Sequence, residues 1–101
     1  MEVLSKALFR GAATTTVDTL LYTVPSATTT IVTDIIVVNT TGVVGTFSLA
    51  LADVSLATTV MVAANDSTVI PIKQSLSPGQ TLKGGASATT INFHISGVEA
   101  T

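Results

Sequence analysis

The sequence predicts an all-β protein: a single-domain antiparallel β-sandwich, jelly-roll-like, with about eight short strands. Nineteen of the 101 residues are Thr and only ten are charged, and the Thr residues lie among Val, Ile, Leu and Ala. Thr and Val are both β-branched, stiff at χ1 and common on pleated sheets. Apolar and polar residues also alternate at period two, with turn residues recurring at a spacing of roughly 8–12 positions. These features together favour a two-sheet sandwich over a helical fold.

The chain is expected to form one domain over residues 1–101, because its length is close to the commonest domain size. Residues 1–16 are the ambiguous part. Alternation favours a strand over about residues 3–10, but a helical turn or an arm exchanged between subunits also fits this segment. Neither a linker nor an internal repeat is visible.

Seven further strands are predicted from alternation and turn residues, over residues 20–24, 28–39, 46–51, 58–63, 69–73, 81–86 and 89–98. Pro25 ends the first of these because it has no N–H for a ladder. Pro71 places its strand at a sheet edge or a bulge. Ser77-Pro78-Gly79-Gln80 predicts a type II turn, a loop is expected around residues 53–55, and Gly84-Gly85 predicts a bulge within its strand.

The last strand contains the only histidine of the chain. Alternation points Phe93 and Ile95 toward the core and His94 to the opposite side. Catalysis or metal binding by one imidazole needs partner groups, and the six acidic residues are dispersed, with Asp18, Asp53 and Asp66 in expected turns. We therefore predict no catalytic residue, no metal site and no cofactor, and an exposed or interfacial His94.

Charge and composition exclude several kinds of partner. The net charge is −2, and the cations are scattered: Lys6, Arg10, Lys73 and Lys83. A nucleic-acid site needs a basic stripe, usually with aromatic residues, so no nucleic-acid partner is expected. No apolar run approaches the roughly 18 residues of a membrane span, and the first residues lack the apolar region of a signal peptide. We expect no membrane partner and synthesis in a cytoplasm, and the absence of Cys excludes thiol chemistry.

The strand over residues 28–39 raises a question about its outer face. Strict alternation places Val32, Ile36 and Val38 on the same face as Asp34. Asp is seldom buried without a partner, so this face is expected to lie outside and to expose three β-branched side chains. Either a neighbouring subunit covers the face, or the strand is buried on both sides by its own fold.

Several segments of the chain carry a family resemblance. They are Leu21-Tyr-Thr-Val-Pro and the β-branched strand that follows, the Asn39-Thr-Thr-Gly turn, Leu76-Ser-Pro-Gly-Gln-Thr-Leu, and Ile91 to Glu99 with its final Ser-Gly-Val-Glu. This order resembles small β-sandwich virion structural proteins of tailed bacteriophages, found as capsid decoration (cement) proteins and as neck or tail accessories. The resemblance covers most of residues 20–99. It implies a virion protein that binds copies of itself or a shell protein, and the family has no catalytic motif to transfer.

The residues and the resemblance together favour a capsid decoration protein that is made in the host cytoplasm, enters the virion and stabilises the shell by bridging major capsid subunits. We expect a homo-oligomer, a trimer on a local three-fold axis being favoured. The expected contact residues are Val3, Leu4, Leu8 and Phe9 in the N-terminal segment and Val32, Ile36 and Val38 on the face described above. The alternatives are a neck or tail accessory protein and, from another class, a carbohydrate- or surface-binding module that would use Tyr22.

Overall fold

The computed structural model describes residues 2–101, and these residues form eight strands and no helix. The strands are β1 (Val3–Ala12), β2 (Leu20–Thr23), β3 (Thr29–Asn39), β4 (Gly45–Leu51), β5 (Val54–Val62), β6 (Ser67–Leu76), β7 (Thr81–Ala86) and β8 (Ile91–Ala100). They form two four-stranded antiparallel sheets, with the orders β1-β8-β3-β6 (sheet A) and β2-β7-β4-β5 (sheet B). Apart from the β4–β5 hairpin within sheet B, successive strands lie in opposite sheets, as in a jelly roll built from two Greek keys. The predicted all-β sandwich is confirmed.

The core lies between the two sheets and is built from alternate residues of the central strands. Phe47 and Leu49 of β4 and Phe93 and Ile95 of β8 are all at most 2% exposed. The Phe47 and Phe93 rings meet edge to face, with centroids 6.2 Å apart, a favourable geometry for an aromatic pair. The alternation predicted for β4 and β8 is confirmed, and His94 lies on the opposite side of β8 from the core, half-buried.

Turn chemistry sets several strand ends. Gly79 has a φ of +82° and the Gln80 N–H donates to the Ser77 carbonyl oxygen at 3.0 Å, which confirms the predicted type II turn. Between β4 and β5 the connection lies where it is predicted but is shorter than the expected residues 53–55, of which only Asp53 belongs to it. Ala52 and Asp53 both have positive φ values, 51° and 64°, so a two-residue hairpin turn joins the strands and β5 begins directly afterwards.

The N-terminal segment is an edge strand of sheet A. It pairs with β8 from Val3 opposite Ala100 to Ala12 opposite Asn92. The pairing continues past both strand ends, where the main chains of residues 2 and 101 exchange two hydrogen bonds of 3.1 and 2.8 Å. Of the alternatives left open by the sequence, the chain adopts the strand.

Two further local predictions have opposite outcomes. β6 is the other edge strand of sheet A, and its ladder slips beside Pro71, so the predicted edge or bulge position is confirmed. The predicted bulge at Gly84-Gly85 is wrong, because the ladder between β7 and β4 runs through both glycines without a shift. The glycines serve close approach instead: a Cβ on Gly85 would lie 2.3 Å from the Thr16 carbonyl oxygen, and one on Gly84 would lie 2.6 Å from the Leu49 side chain.

Candidate interaction surfaces

The four residues predicted as an N-terminal contact segment occupy different environments. Val3 and Leu4 are exposed, and Phe9 is half-buried. Leu8 is 7% exposed and belongs to the core, so its prediction as a surface contact is wrong. The ladder between β1 and β8 shifts just before Phe9, and this bulge turns Leu8 inward. Val3, Leu4 and Phe9 stay predicted contacts.

β3 contains a bulge that strict alternation does not predict. Its ladder to β8 shifts between Val32 and Asp34 and leaves Thr33 unpaired. Because one extra residue reverses the alternation, Val32 joins the core at 0% exposure while Asp34 lies on the outer face. The prediction of Val32 as a contact residue is wrong for this reason. Ile36 and Val38 do lie on the outer face of the sheet, half-buried.

The outer face of sheet A is a continuous surface of small and β-branched side chains. Residues paired across an antiparallel sheet point to the same side, so the register defines rows that run from β6 through β3 and β8 to β1. All sixteen residues of four successive rows are exposed or half-buried. We call them the A face, with the rows Ser67, Val38, Asn92, Ala12; Val69, Ile36, His94, Arg10; Pro71, Asp34, Ser96, Ala7; and Ser75, Ile31, Val98, Ser5.

Three of the sixteen A-face residues carry a charge or a titratable ring. Arg10 and His94 are neighbours across β1 and β8, and Asp34 lies in the next row, where it accepts a hydrogen bond from the Thr33 hydroxyl at 2.9 Å. Nucleophilic catalysis needs a nucleophile and a base in hydrogen-bond reach of each other, and the row neighbours of His94 are Arg10 and Ile36. Within residues 2–101 there is no group of three or more His, Asp or Glu side chains that could hold a metal ion. The A face therefore combines apolar area with a few charged or hydrogen-bonding side chains.

A half-buried polar cluster joins the two sheets. The Tyr22 hydroxyl of sheet B donates to Glu99 Oε2 of sheet A and lies 2.8 Å from Thr30 Oγ1. Glu99 Oε1 also pairs with Lys6 Nζ at 3.4 Å. Burial, reinforced by the hydrogen bond to Glu99, raises the pKa of Tyr22 to about 12. Since its hydroxyl is engaged inside the fold and its ring packs against the core, Tyr22 is not presented as a stacking platform for a sugar.

A groove of about 350 Å³ lies on the outer side of sheet B. Its charged lining residues are Asp18 and Asp53, both in turns as predicted, and Lys83 of β7. Lys83 donates to Asp53 Oδ1 at 2.9 Å; this hydrogen bond raises the pKa of Lys83, and the negative charge of Asp18 acts in the same direction. The two carboxylates and one ammonium group leave the groove with one net negative charge. The groove lacks the extensive apolar and aromatic lining that typical small-molecule sites have.

β5 forms an edge of sheet B that the other residues of the described chain leave uncovered. Pairing with the core residues Phe47 and Leu51 points Val60 and Val54 toward the interior. Phe47 and Leu51 are 1% and 9% exposed, yet Val60 is 37% and Val54 is 69% exposed. The sandwich is therefore open along β5, with side chains on the core-facing side of the strand still in contact with solvent.

More exposed apolar residues lie near the end of β5, where Met61 pairs with Thr46 and points to the outer side of sheet B. Met61 is 69% exposed, and the loop before β4 exposes Val43 and Val44. Neither residues 40–46 nor residues 54–62 include a charged side chain. We call the exposed apolar residues of these two segments the β5 patch: Val43, Val44, Val54, Leu56, Val60 and Met61.

The backbone of β5 is irregular along the patch. Leu56 is one unpaired residue, and Thr58 and Thr59 together lie opposite Ser48. Thr59 has a left-handed φ of 49°, which is rare for a β-branched residue, and its N–H donates to Ser48 Oγ at 3.0 Å. These two bulges interrupt the row of backbone groups at the edge. The patch therefore presents side chains more than a regular template for strand pairing.

Asn39 fixes the loop that carries part of the β5 patch. This side chain is 2% exposed, and its amide nitrogen donates to the carbonyl oxygens of Val43 at 2.8 Å and Val62 at 3.2 Å. Its Oδ1 accepts from the N–H and the hydroxyl of Thr41 at 3.1 and 3.0 Å. The loop is thereby held against the end of β5, so Val43 and Val44 are exposed on a fixed backbone.

The sequence does not predict the β5 patch, because a loop is expected where β5 begins and residues 43–44 fall between two predicted strands. Two signals were nevertheless present. Val43 and Val44 lie between two glycines in a turn region, where apolar side chains have no core to enter. Val60, Met61 and Val62 are consecutive, and a strand can point only alternate residues toward one core.

The described residues contain no helix long and apolar enough to cross a membrane. No protein-family model matches the sequence, and no curated protein is similar to it.

Proposed function

We propose that the protein is a non-enzymatic structural component of a bacteriophage virion, a capsid decoration (cement) protein that stabilises the shell by bridging major capsid subunits. The observation that carries this proposal is the A face. It extends over four strands, exposes mainly small and β-branched side chains, and includes only three charged or titratable residues among its sixteen members. A face of this kind is suited to packing against another protein.

The size of the A face supports a contact of modest strength. Four strands about 4.8 Å apart and four rows about 7 Å apart give a flat area of about 500 Å². A stable interface usually buries about 600–1,000 Å² on each partner, so this face lies slightly below that range before loops are added. A decoration protein can work with such contacts, because many copies on a symmetric shell act together.

Cement action has a simple physical basis. A small domain bound across two shell subunits adds buried area that must be lost before the subunits separate. The sandwich suits this role, because its apolar core and its polar cross-link between Tyr22 and Glu99 hold both sheets in one body. Binding in this scheme needs no bond making or breaking, and no cofactor is proposed. The expected homo-oligomer, with a trimer on a local three-fold axis as the favoured form, belongs to the same proposal.

The test is the location of the protein in purified particles and its dependence on the A face. Electron microscopy of labelled protein should place it on the capsid surface, at positions between major capsid subunits. Ser96→Lys, on the A face, should lower the number of copies bound per particle several-fold, since it inserts a charge into the contact. Thr81→Lys is the matched control, because Thr81 is also a half-buried hydroxyl residue but lies on sheet B.

The outcomes separate the related proposals. Labelling at the neck or tail, with the same sensitivity to Ser96→Lys, would replace the decoration role with that of a neck or tail accessory. Absence of the protein from particles would overturn the virion proposal as a whole. If both variants and the wild type bind particles in equal numbers, the A face is not the surface that contacts the virion.

A further inference from the structure

We propose that a second copy of this chain covers the β5 patch, so that the protein self-associates through β5 and keeps the A face for other virion subunits. The assignment of β5 to self-association and of the A face to other virion subunits rests on the proposed function. The self-association itself rests on the patch.

The first argument is the exposure of core-facing side chains. Val54 and Val60 point into the sandwich beside Leu51 and Phe47, but the chain leaves them 69% and 37% exposed. Interfaces between permanently associated subunits resemble a domain core that has been cut in half. β5 resembles such an interface because its core-facing positions are exposed to solvent. The A face differs, because its residues point outward from the sheet.

The second argument is the absence of charge. The segments that carry the patch, residues 40–46 and 54–62, contain no ionisable side chain. Recognition of a different protein usually relies on complementary charges for selectivity and association rate, and homodimer interfaces are more apolar. Two copies of an uncharged patch can meet without repulsion. The A face, with Arg10, Asp34 and His94, has the directional groups that a different partner would require.

A comparison of the edge strands supports the choice of β5. β6 carries Pro71 and Lys73, and β1 carries Lys6 and Arg10, which are residue types that protect sheet edges from association. β2 has only four residues. β5 is nine residues long and lacks charge and proline, and its bulges prevent regular strand pairing without hiding its apolar side chains.

The side of the molecule that carries β5 offers an area just below the lower end of the range for a stable interface, before its loop is added. Nine residues at about 3.4 Å each span about 30 Å, and the smallest dimension of the molecule is 18 Å, which gives a flat area of about 540 Å². The loop fixed by Asn39 adds Val43 and Val44 without a large cost in ordering, because its backbone is already held by hydrogen bonds. If the same patch meets itself, the product is a dimer; if it meets another surface of the next copy, it closes a ring such as a trimer.

The experiment measures the oligomeric state of the isolated chain by sedimentation equilibrium. The wild type should form a closed oligomer at about 100 µM. Met61→Lys and Val54→Lys should each raise its dissociation constant at least about tenfold, because each places a charge in an apolar contact. Both residues are 69% exposed, so the variants should fold. Leu20→Lys is the control, because Leu20 is a 55% exposed apolar residue on β2, the edge strand of sheet B opposite β5, and belongs to neither the A face nor the β5 patch.

A second measurement needs no substitution. Hydrogen peroxide oxidises an exposed methionine to the sulfoxide, so oxidation of Met61 should slow several-fold as the protein concentration is raised through the association range. A wild type that remains monomeric at about 100 µM overturns the inference. So does an oligomer that Leu20→Lys weakens as much as Met61→Lys does. These results are distinct from failure of the virion role: a monomer that still decorates particles overturns self-association, including the expected homo-oligomer, and leaves the virion role standing. An oligomer that does not bind particles overturns only the virion role.

Discussion

Leu8 packs directly over the backbone of Gly97. A Cβ atom on Gly97 would lie 2.7 Å from Leu8 Cδ1 and 2.5 Å from the carbonyl oxygen of Ile31. The bulge in β1 brings Leu8 to this position, and the missing side chain on β8 gives it room. The contact ties the edge strand β1 into the core.

Gly97→Ala should therefore destabilise the fold. The Ile31 contact is with backbone, which cannot simply rotate away, so we expect a loss of about 1–3 kcal/mol in the free energy of unfolding. Urea denaturation followed by circular dichroism measures it. Gly42→Ala is the control: its new methyl group would have its nearest neighbour at 4.0 Å, and the change should stay within about 0.5 kcal/mol. Equal effects of the two substitutions would contradict the close packing at Gly97.

Leu8→Ala should remove core volume. Truncation of a buried Leu typically costs about 2–5 kcal/mol, whereas Leu4→Ala, at an exposed position of the same strand, should cost within about 0.5 kcal/mol. The same urea titration distinguishes them, and a small effect of Leu8→Ala would contradict the burial of Leu8.

Because Leu8 belongs to the core, deletion of residues 1–10 would affect folding as well as binding. Leu4→Lys is therefore the better test of a contact role for the N-terminal strand.

Asn39→Ala should lower stability through its lost hydrogen bonds. The carbonyl groups of Val43 and Val62 would lose their side-chain donor at a buried position, and we expect a cost of about 1–3 kcal/mol. Asn92→Ala, at a half-buried position on the A face, should cost less than about 0.5 kcal/mol. If the loop is needed in fixed form for self-association, Asn39→Ala should also weaken the oligomer, although every apolar residue of the β5 patch is retained. An oligomer of unchanged strength would show that the loop is dispensable.

Tyr22 should titrate near pH 12. The protein has one Tyr and no Trp, so the near-ultraviolet absorbance of tyrosinate reports this residue alone. Its pKa is raised from 10.0 to about 12, first by burial and then by the hydrogen bond to Glu99. Glu99→Gln should lower the pKa only part of the way to 10.0, since burial remains. A midpoint near the ordinary value in the folded wild type would contradict the cluster.

The Tyr22 pKa also predicts the pH dependence of stability. The folded chain holds the phenolic proton more tightly than the unfolded chain does, so this stabilisation is complete below pH 10 and is lost as the pH rises from 10 to about 12. Lys83, whose pKa is also raised, loses its contribution in the same direction. Urea titrations at several alkaline pH values should show a smaller decline for Tyr22→Phe than for the wild type. Identical declines in the stability of the two proteins would mean that ionisation of Tyr22 does not contribute to the loss of stability at alkaline pH.

Thr59→Gly should stabilise the chain. A left-handed backbone costs a non-glycine residue about 1–2 kcal/mol, and the greater flexibility of Gly in the unfolded chain offsets about 0.5–1 kcal/mol of the relief. We expect a net gain of about 0.5–1 kcal/mol in the free energy of unfolding. Thr58→Gly, next to it without the positive φ, should instead lose about 0.5–1 kcal/mol. A loss of similar size in both variants would contradict the backbone conformation of Thr59.

Regular strands were predictable from the sequence because apolar and polar residues alternate along them, and the apolar positions mark the buried side. In β4 and β8, larger apolar residues such as Phe47, Leu49, Phe93 and Ile95 alternate with polar or small residues, and both strands are central in their sheets. The type II turn at residues 77–80 was equally predictable, since Pro78 fits its second position and Gly79 tolerates the positive φ of its third. Local chemistry decides these features.

The bulges were not predictable, because a bulge depends on the partner strand. One extra residue at Thr33 reverses the faces of β3, and the shift before Phe9 turns Leu8 inward. Neither position has a Gly or a Pro to mark it. The candidate contact Val32 rested on unbroken alternation and Leu8 on its place in the N-terminal segment, and the bulges make both wrong. Ile36 and Val38 lie on the predicted face because they follow the bulge together with Asp34. Their contact role stays a prediction.

The two bulges in β5 also limit how the protein can misassemble. A long, straight, apolar strand at a sheet edge can recruit further chains without end and nucleate amyloid-like fibrils. At Leu56 and Thr59 the backbone of β5 departs from the repeat that such growth requires. β5 therefore exposes apolar side chains that favour association, but it lacks the regular backbone hydrogen-bonding pattern that fibril growth needs. The same strand can bind a second copy and still resist unlimited polymerisation.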